Sequence, residues 1–176
     1  AIEDQSYFEN ERLKAFIAKL KETGGTAHLV GLVSDGGVHG SLVHLIASVN
    51  AIAEAGVPVA IHAIADGRDV APKSAFGYFA ALTEALPANA KVVTVTGRYF
   101  ALDRDNRWAR VKEAYDAMVH GQSGYKAMDA HGVISNAYNR SETDEFISAT
   151  VLRGYEGMKD GDGVFCLNFR ADRARE

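Results

Sequence analysis

With 176 residues, 47% of them hydrophobic and 24% charged, the chain is long enough for one domain with an ordinary core and is too balanced for a disordered or fibrous protein. A formal net charge of -4 and the lack of any basic run exclude a general attraction to nucleic acid. No run of about 18 apolar residues suits a membrane, the start at Ala1-Ile2-Glu3-Asp4 carries no leader pattern, and a lone cysteine, Cys166, cannot close an internal disulfide, so a cytoplasmic protein without a membrane partner is expected.

Leu13, Phe16, Ile17 and Leu20 recur at helical spacing, and the helix they predict stops at Gly24-Gly25. Ala27 to Val33 is an apolar run expected as a strand. The loop Ser34-Asp35-Gly36-Gly37-Val38-His39 follows it, then a helix with Leu42, Leu45, Ile46, Val49, Ile52 and Ala53 on its buried face, ended by Gly56-Val57-Pro58. The rhythm repeats with a strand from Val59 to Ala65, a loop from Asp66 to Pro72, and a helix from Lys73 to Leu86 whose Phe76, Phe79 and Ala80 are expected inward. A third round gives a strand from Lys91 to Thr96, a long loop from Gly97-Arg98 through Arg104, and a helix through Trp108, Val111, Tyr115 and Met118. Between residues 121 and 162 the rhythm fails. An acidic turn at Ser141-Glu142-Thr143-Asp144-Glu145 and a β-rich run from Phe146 to Leu152 predict an irregular excursion with a short hairpin or two. Val164 to Asn168 resumes the sheet, with Cys166 expected as a small buried hydrophobe.

Strand, loop and helix units of this length predict an α/β fold, a three-layer α/β/α sandwich on a mainly parallel sheet, forming one domain over residues 1–176. In such a sheet ligands bind beyond the carboxyl ends of the strands. The loops after the four long strands, the last being Asn168-Phe169-Arg170-Ala171-Asp172-Arg173, should therefore share one crevice, and their arginines suit an anion.

Taken singly, each loop is ambiguous. Gly36-Gly37 permits a close backbone approach to a ligand, and His39, just before a helix, either donates to a phosphate or stands solvated at the surface. Arg68-Asp69 can bind an anion and offer an acid or base to a hydroxyl, or can form an internal salt bridge, and Asp103-Arg104-Asp105 has the same two readings. Arg107 and Arg110 are assigned to a solvated helix face. Arg170 and Arg173 share a side if a helical turn begins there, with Arg175 pointing away. Neither a Walker loop nor Gly-x-Gly-x-x-Gly is present. The histidines show no ligand spacing, and Asp160-Gly161-Asp162-Gly163 lacks the glutamate of a calcium loop, so no metal site is expected. His28 and His62, inside strands, are expected to be hydrogen-bonded core residues.

At these residues the chain resembles the cofactor-independent (2,3-bisphosphoglycerate-independent) phosphoglycerate mutases. The resemblance is carried, in order, by Ala1-Ile2-Glu3-Asp4, Gly31 through His39, Asp66-Gly67-Arg68-Asp69-Val70, Gly97-Arg98-Tyr99, Asp103-Arg104-Asp105 with Arg107-Trp108, and Asn168 through Arg173. It implies an enzyme of glycolysis and gluconeogenesis that interconverts 3-phosphoglycerate and 2-phosphoglycerate through a phosphoserine. It implies two domains, and this chain is similar only to the inserted phosphotransferase domain that holds the substrate. The alkaline-phosphatase-like domain, with the nucleophilic serine and two divalent metals, commonly manganese, would lie elsewhere in the parent, leaving this piece without cofactor and inactive alone. The start without methionine and the stop at Glu176 fit an excised piece. By motif, His39, Arg68, Asp69, Arg98, Arg104, Arg170 and Arg173 would contact substrate, with Asp69 as the catalytic acid and base. Ser41 and Phe100 depart from the family's usual histidine and tyrosine. A monomer is expected, since no apolar stripe is left over. The alternative is a free-standing phosphate- or carboxylate-binding module without catalysis.

Overall fold

A computed structural model describes residues 2–3 and 5–174, so Arg175 and parts of the Ala1-Ile2-Glu3-Asp4 motif lie outside the described residues. After a single 3-10 turn at Ser6–Glu9, helix α1 (Glu11–Thr23) opens on Asn10, whose side chain accepts from the amides of Arg12 and Leu13, and closes on Gly24 at φ 70°. Then come β1 (Ala27–Leu32), α2 (Leu42–Glu54), β2 (Val59–Ala65), α3 (Ala75–Ala85), β3 (Ala90–Gly97), the short α4 (Arg98–Ala101), α5 (Trp108–His120), β4 (Tyr125–Ala127), α6 (Ala130–Asn139), a 3-10 turn at Asp144–Phe146, β5 (Thr150–Leu152) and β6 (Gly163–Leu167).

The strands form one six-stranded sheet in the order β4-β5-β3-β2-β1-β6. The pairs β6-β1, β1-β2, β2-β3 and β4-β5 are parallel, and only β3-β5 is antiparallel. This is the expected α/β class, with helices on both faces. Leu29, Ile61 and Val95 point into one large core shared with α1, α2, α3 and α6. Alternate positions serve the other face, where Leu32 and Ile64 meet Leu102, and Val151 meets Ala117 of α5. Side chains such as Leu45, Ile52 and Ile61 are fully buried, each worth about 1.5–3 kcal/mol of transfer free energy.

The second face also holds a polar chain. His28 Nδ1 lies 3.0 Å from His62 Nε2, His62 Nδ1 2.8 Å from the Thr94 hydroxyl, and His28 Nε2 2.9 Å from Asp162. Tyr155 packs its ring on both imidazoles. The two histidines are thus core residues, as their place in strands implied.

Three expectations need correction. The stretch 121–162 contains no hairpin: β4 and β5 run parallel and are joined by α6, one more strand-helix-strand unit. Its buried stripe, Ala130, Val133, Ile134 and Ala137, is helical in period, but Gly132, Ser135 and Asn136 between them are poor helix formers, and the helix depends on the Asp129 cap and on packing. Phe76 and Ala80 are not inward, because α3 buries the face of Ala75, Phe79 and Leu82. Cys166 is exposed, together with Val164, because β6 is an edge strand whose second face lacks a covering helix among the described residues.

Candidate functional site

β6, β1, β2 and β3 are consecutive neighbours in the sheet and all parallel, so their four exit loops emerge side by side at one edge. At the centre sits Asp66, the residue after β2, only 3% exposed. Its Oδ2 accepts from the Ser34 hydroxyl at 2.5 Å; its Oδ1 accepts from the amides of Arg68 at 3.2 Å and Asp69 at 3.1 Å and from Arg98 Nη1 at 2.7 Å. Burial by itself would raise this carboxyl, but the Ser34, Asp69, Arg98 and Arg68 hydrogen bonds outweigh it and hold Asp66 below the usual carboxylate range. The same Arg98 nitrogen also reaches Asp69 Oδ2 at 2.7 Å. Arg98 is 1% exposed; desolvation opposes its charge, and the Asp69 and Asp66 contacts more than restore it. Gly36 lets the first loop close over this pair, since a Cβ there would stand 2.9 Å from that of Asp69.

Beside the pair lies a polar cleft of about 320 Å³, lined by Arg68, Arg98, Arg104, Arg110 and Arg173 with Tyr99, Asp103, Asp105, Glu145 and Phe146. Five arginines outnumber three carboxylates in this lining. Arg173 is held below the usual guanidinium range by burial and then by the charges of Arg104, Arg98 and Arg68, a repulsion that a bound anion would relieve. His39, 4% exposed, is pushed down by burial and by Arg98 and Arg173, against a smaller pull from Asp69. In the lining itself the buried Nε donors of Arg98 and Arg173 lack a partner among the described residues; His39 Nδ1 and Asn168 Nδ2, which do not line the cleft, are likewise buried and unpartnered. Orphaned donors in a cationic cleft are what a polyanionic ligand would satisfy. A second cleft of about 370 Å³, between Phe76, Phe79, Ala130 and Ile134, is mainly apolar and contains no arginine or lysine.

All of residues 1–176 match the family model described as BPG-independent PGAM N-terminus. The chain belongs to this family. Among the curated relatives of this family member are proteins named 2,3-bisphosphoglycerate-independent phosphoglycerate mutase, including those of Ruegeria pomeroyi at 67% identity and Roseobacter denitrificans at 60%, with all of this chain and 35% of each relative covered. That of Paracoccus denitrificans is 60% identical, with all of this chain and 34% of the relative covered. The chain thus spans about a third of the length of the curated relatives it matches.

Against the family motifs, Arg68, Arg98, Arg104 and Arg173 line the one cleft, and Asp69 is tied to it through Arg98. His39 does not line the cleft; its carbonyl accepts from the Phe169 amide at 2.7 Å, and its ring lies within reach of the charges of Arg98 and Arg173. Arg170 is exposed and reaches Asp172 at 3.1 Å; Asp172 lies 3.8 Å from Arg104, so Arg170 stands at the rim. Arg173 donates to the Leu102 carbonyl at 2.7 Å, and the charges of both Arg173 and Arg170 reach His39. Arg110 is no solvated helix residue: it contacts Asp103 at 3.1 Å and covers the Tyr99 ring at 3.8 Å. Sequence reasoning missed Asp66, Arg110, Glu145 and Phe146 as parts of the site. Asp66 could have been found as the acidic residue beside Gly67 at a strand end; nothing in the sequence marks Glu145. Among the described residues no cluster of three or more His, Cys, Asp or Glu side chains could hold a metal ion, and no helix is long and apolar enough to cross a membrane.

Proposed function

We propose that this chain is the substrate-holding domain of a 2,3-bisphosphoglycerate-independent phosphoglycerate mutase and that its cleft takes 3-phosphoglycerate and 2-phosphoglycerate. The observation that carries the reading is the arginine cluster of the cleft, where the charge of Arg173 is opposed by burial and by Arg104, Arg98 and Arg68, and the buried Nε donors of Arg98 and Arg173 stand unpaired. A phosphate and a carboxylate on one small molecule supply negative charge close to three, and several arginines can hold both ends at once. His39, Arg68, Arg98, Arg104, Arg170 and Arg173 bind and orient. Asp69 moves a proton on and off the glycerate hydroxyls while the phosphoryl group passes to a serine and returns to the neighbouring oxygen.

That serine and two divalent metals, manganese in this reading, belong to a phosphatase-like domain of the same parent, located in the cytoplasm, so the isolated domain binds without turnover. Bound metals would supply charge stabilisation to the transferring phosphoryl group. The task of this domain's own residues is to present one hydroxyl at a time.

Titration of the chain with 3-phosphoglycerate and with inorganic phosphate by two-dimensional NMR tests the reading. Saturable shifts at the four loops are expected, weakened about tenfold or more in Arg104→Ala, a half-exposed residue whose loss spares the core, since a hydrogen bond to a charged group is worth about 1.5–3 kcal/mol. Equal affinity in the variant, or a full-length parent without mutase activity in manganese, would overturn it.

A further inference from the structure

The turn at Asp144–Phe146 places a carboxylate, Glu145, in the wall of the arginine cleft. A negative group in a site built for anions needs an explanation. Its backbone is held on both sides. A Cβ on Gly97 would lie 2.3 Å from the Glu145 carbonyl oxygen, and one on Gly67 would lie 2.8 Å from its amide nitrogen, so both strand exits are glycine where this turn presses on them. Next to it, Asp144 accepts from the amides of Ser74 at 2.8 Å and Ala75 at 2.9 Å and from the Tyr138 hydroxyl, and the Gly97 amide donates to the Ile147 carbonyl at 2.7 Å.

None of these bonds uses the Glu145 side chain. Among the described residues it pairs with Arg68 alone, Nη1 to Oε1 at 3.4 Å. Arg68 is the more exposed partner, with a side chain 54% exposed against 19% for Glu145, on a loop turned by Gly67 at φ 67°. The Glu145 backbone is clamped between two glycines, whereas the Arg68 side chain stands mostly in solvent.

We propose that Glu145 is a built-in counter-anion that parks Arg68 at the mouth of the cleft, and that a phosphorylated ligand must take Arg68 from it. The proposal rests on the anion-binding reading above and adds to it a residue that weakens the site. Glu145 repels the ligand and competes for one of its cations, so it lowers affinity and speeds ligand exchange, which suits a domain that must let its product go.

Glu145→Gln keeps the size of the side chain and removes its charge. In the 176-residue chain, affinities for inorganic phosphate and for 3-phosphoglycerate, measured by calorimetry, should both rise about two- to fivefold, the range set by an exposed ion pair. The gain should shrink in an Arg68→Ala background, where nothing remains to be released. An unchanged melting temperature separates this from a fold defect. Unchanged or weaker binding of either anion in Glu145→Gln would overturn the proposal; weaker binding of phosphoglycerate alone would make Glu145 an acceptor for its hydroxyls instead. A gain undiminished in the Arg68→Ala background would overturn the parking of Arg68. If neither anion bound to the parent chain or the variant, the anion-binding reading would fall with it.

Discussion

Replacing Asp66 by asparagine removes the permanent counter-charge of Arg98 while keeping an oxygen that can still accept from the amides of Arg68 and Asp69. Asp66 and Arg98 are 3% and 1% exposed, and breaking a pair buried that deeply costs about 3–5 kcal/mol. Asp69 Oδ2, 2.7 Å from the same Arg98 nitrogen, retains part of the compensation, which brings the expected loss to about 2–3 kcal/mol. Urea denaturation followed by far-ultraviolet circular dichroism would show it as a midpoint lower by about 1–1.5 M, for a slope near 2 kcal/mol per molar. The effect has a pH signature. The folded Asp66 carboxyl lies below its ordinary value of 3.8, so its stabilisation is complete above that value and is lost as pH falls through the folded pKa. The difference between Asp66→Asn and the parent should therefore be full at neutral pH and shrink below about pH 3.8. A variant within about 0.5 kcal/mol of the parent at neutral pH, the range of a neutral surface change, or a difference independent of pH, would refute the account of Asp66 as the charge partner of Arg98.

Two further outcomes follow from other contacts. Gly97 has an ordinary φ of -65°, so Gly97→Ala tests crowding alone: with the new Cβ 2.3 Å from the Glu145 carbonyl, it should cost about 1–3 kcal/mol and weaken phosphate binding by moving the turn, and a stable variant with normal binding would show that the turn is free to yield. Burial lowers His62 from 6.5 to about 3, with the charge of His28 adding to it, so unfolded chains take up a proton there that folded ones refuse. The stabilisation this gives is complete above pH 6.5 and falls as the pH drops from 6.5 toward 3, by up to about 1.4 kcal/mol per unit; denaturation midpoints across that range should flatten in His62→Gln, and an unaltered slope would count against a neutral buried His62.

The sequence by itself determined the strands β1, β2, β3 and β6, the helices α1 and α2, and the clustering of arginine loops at one sheet edge. Those features are local. An apolar run of strand length, a helical stripe and a glycine stop each arise from a few adjacent residues, and parallel strands joined by helices send their loops to the same end. Only the tertiary structure decided that Asp66 holds Arg98, 32 positions away, and that Glu145 faces Arg68 across 77 positions. Burial was equally a matter of the fold. Arg110 is partly withdrawn from solvent because the Tyr99 ring and Asp103 meet it, and Cys166 stays in solvent because no helix among the described residues covers its side of an edge strand. Helix α6 lies between these cases: its stripe is in the sequence, yet its weak formers hold helical shape through the Asp129 cap and through packing that exists only once the sheet is assembled.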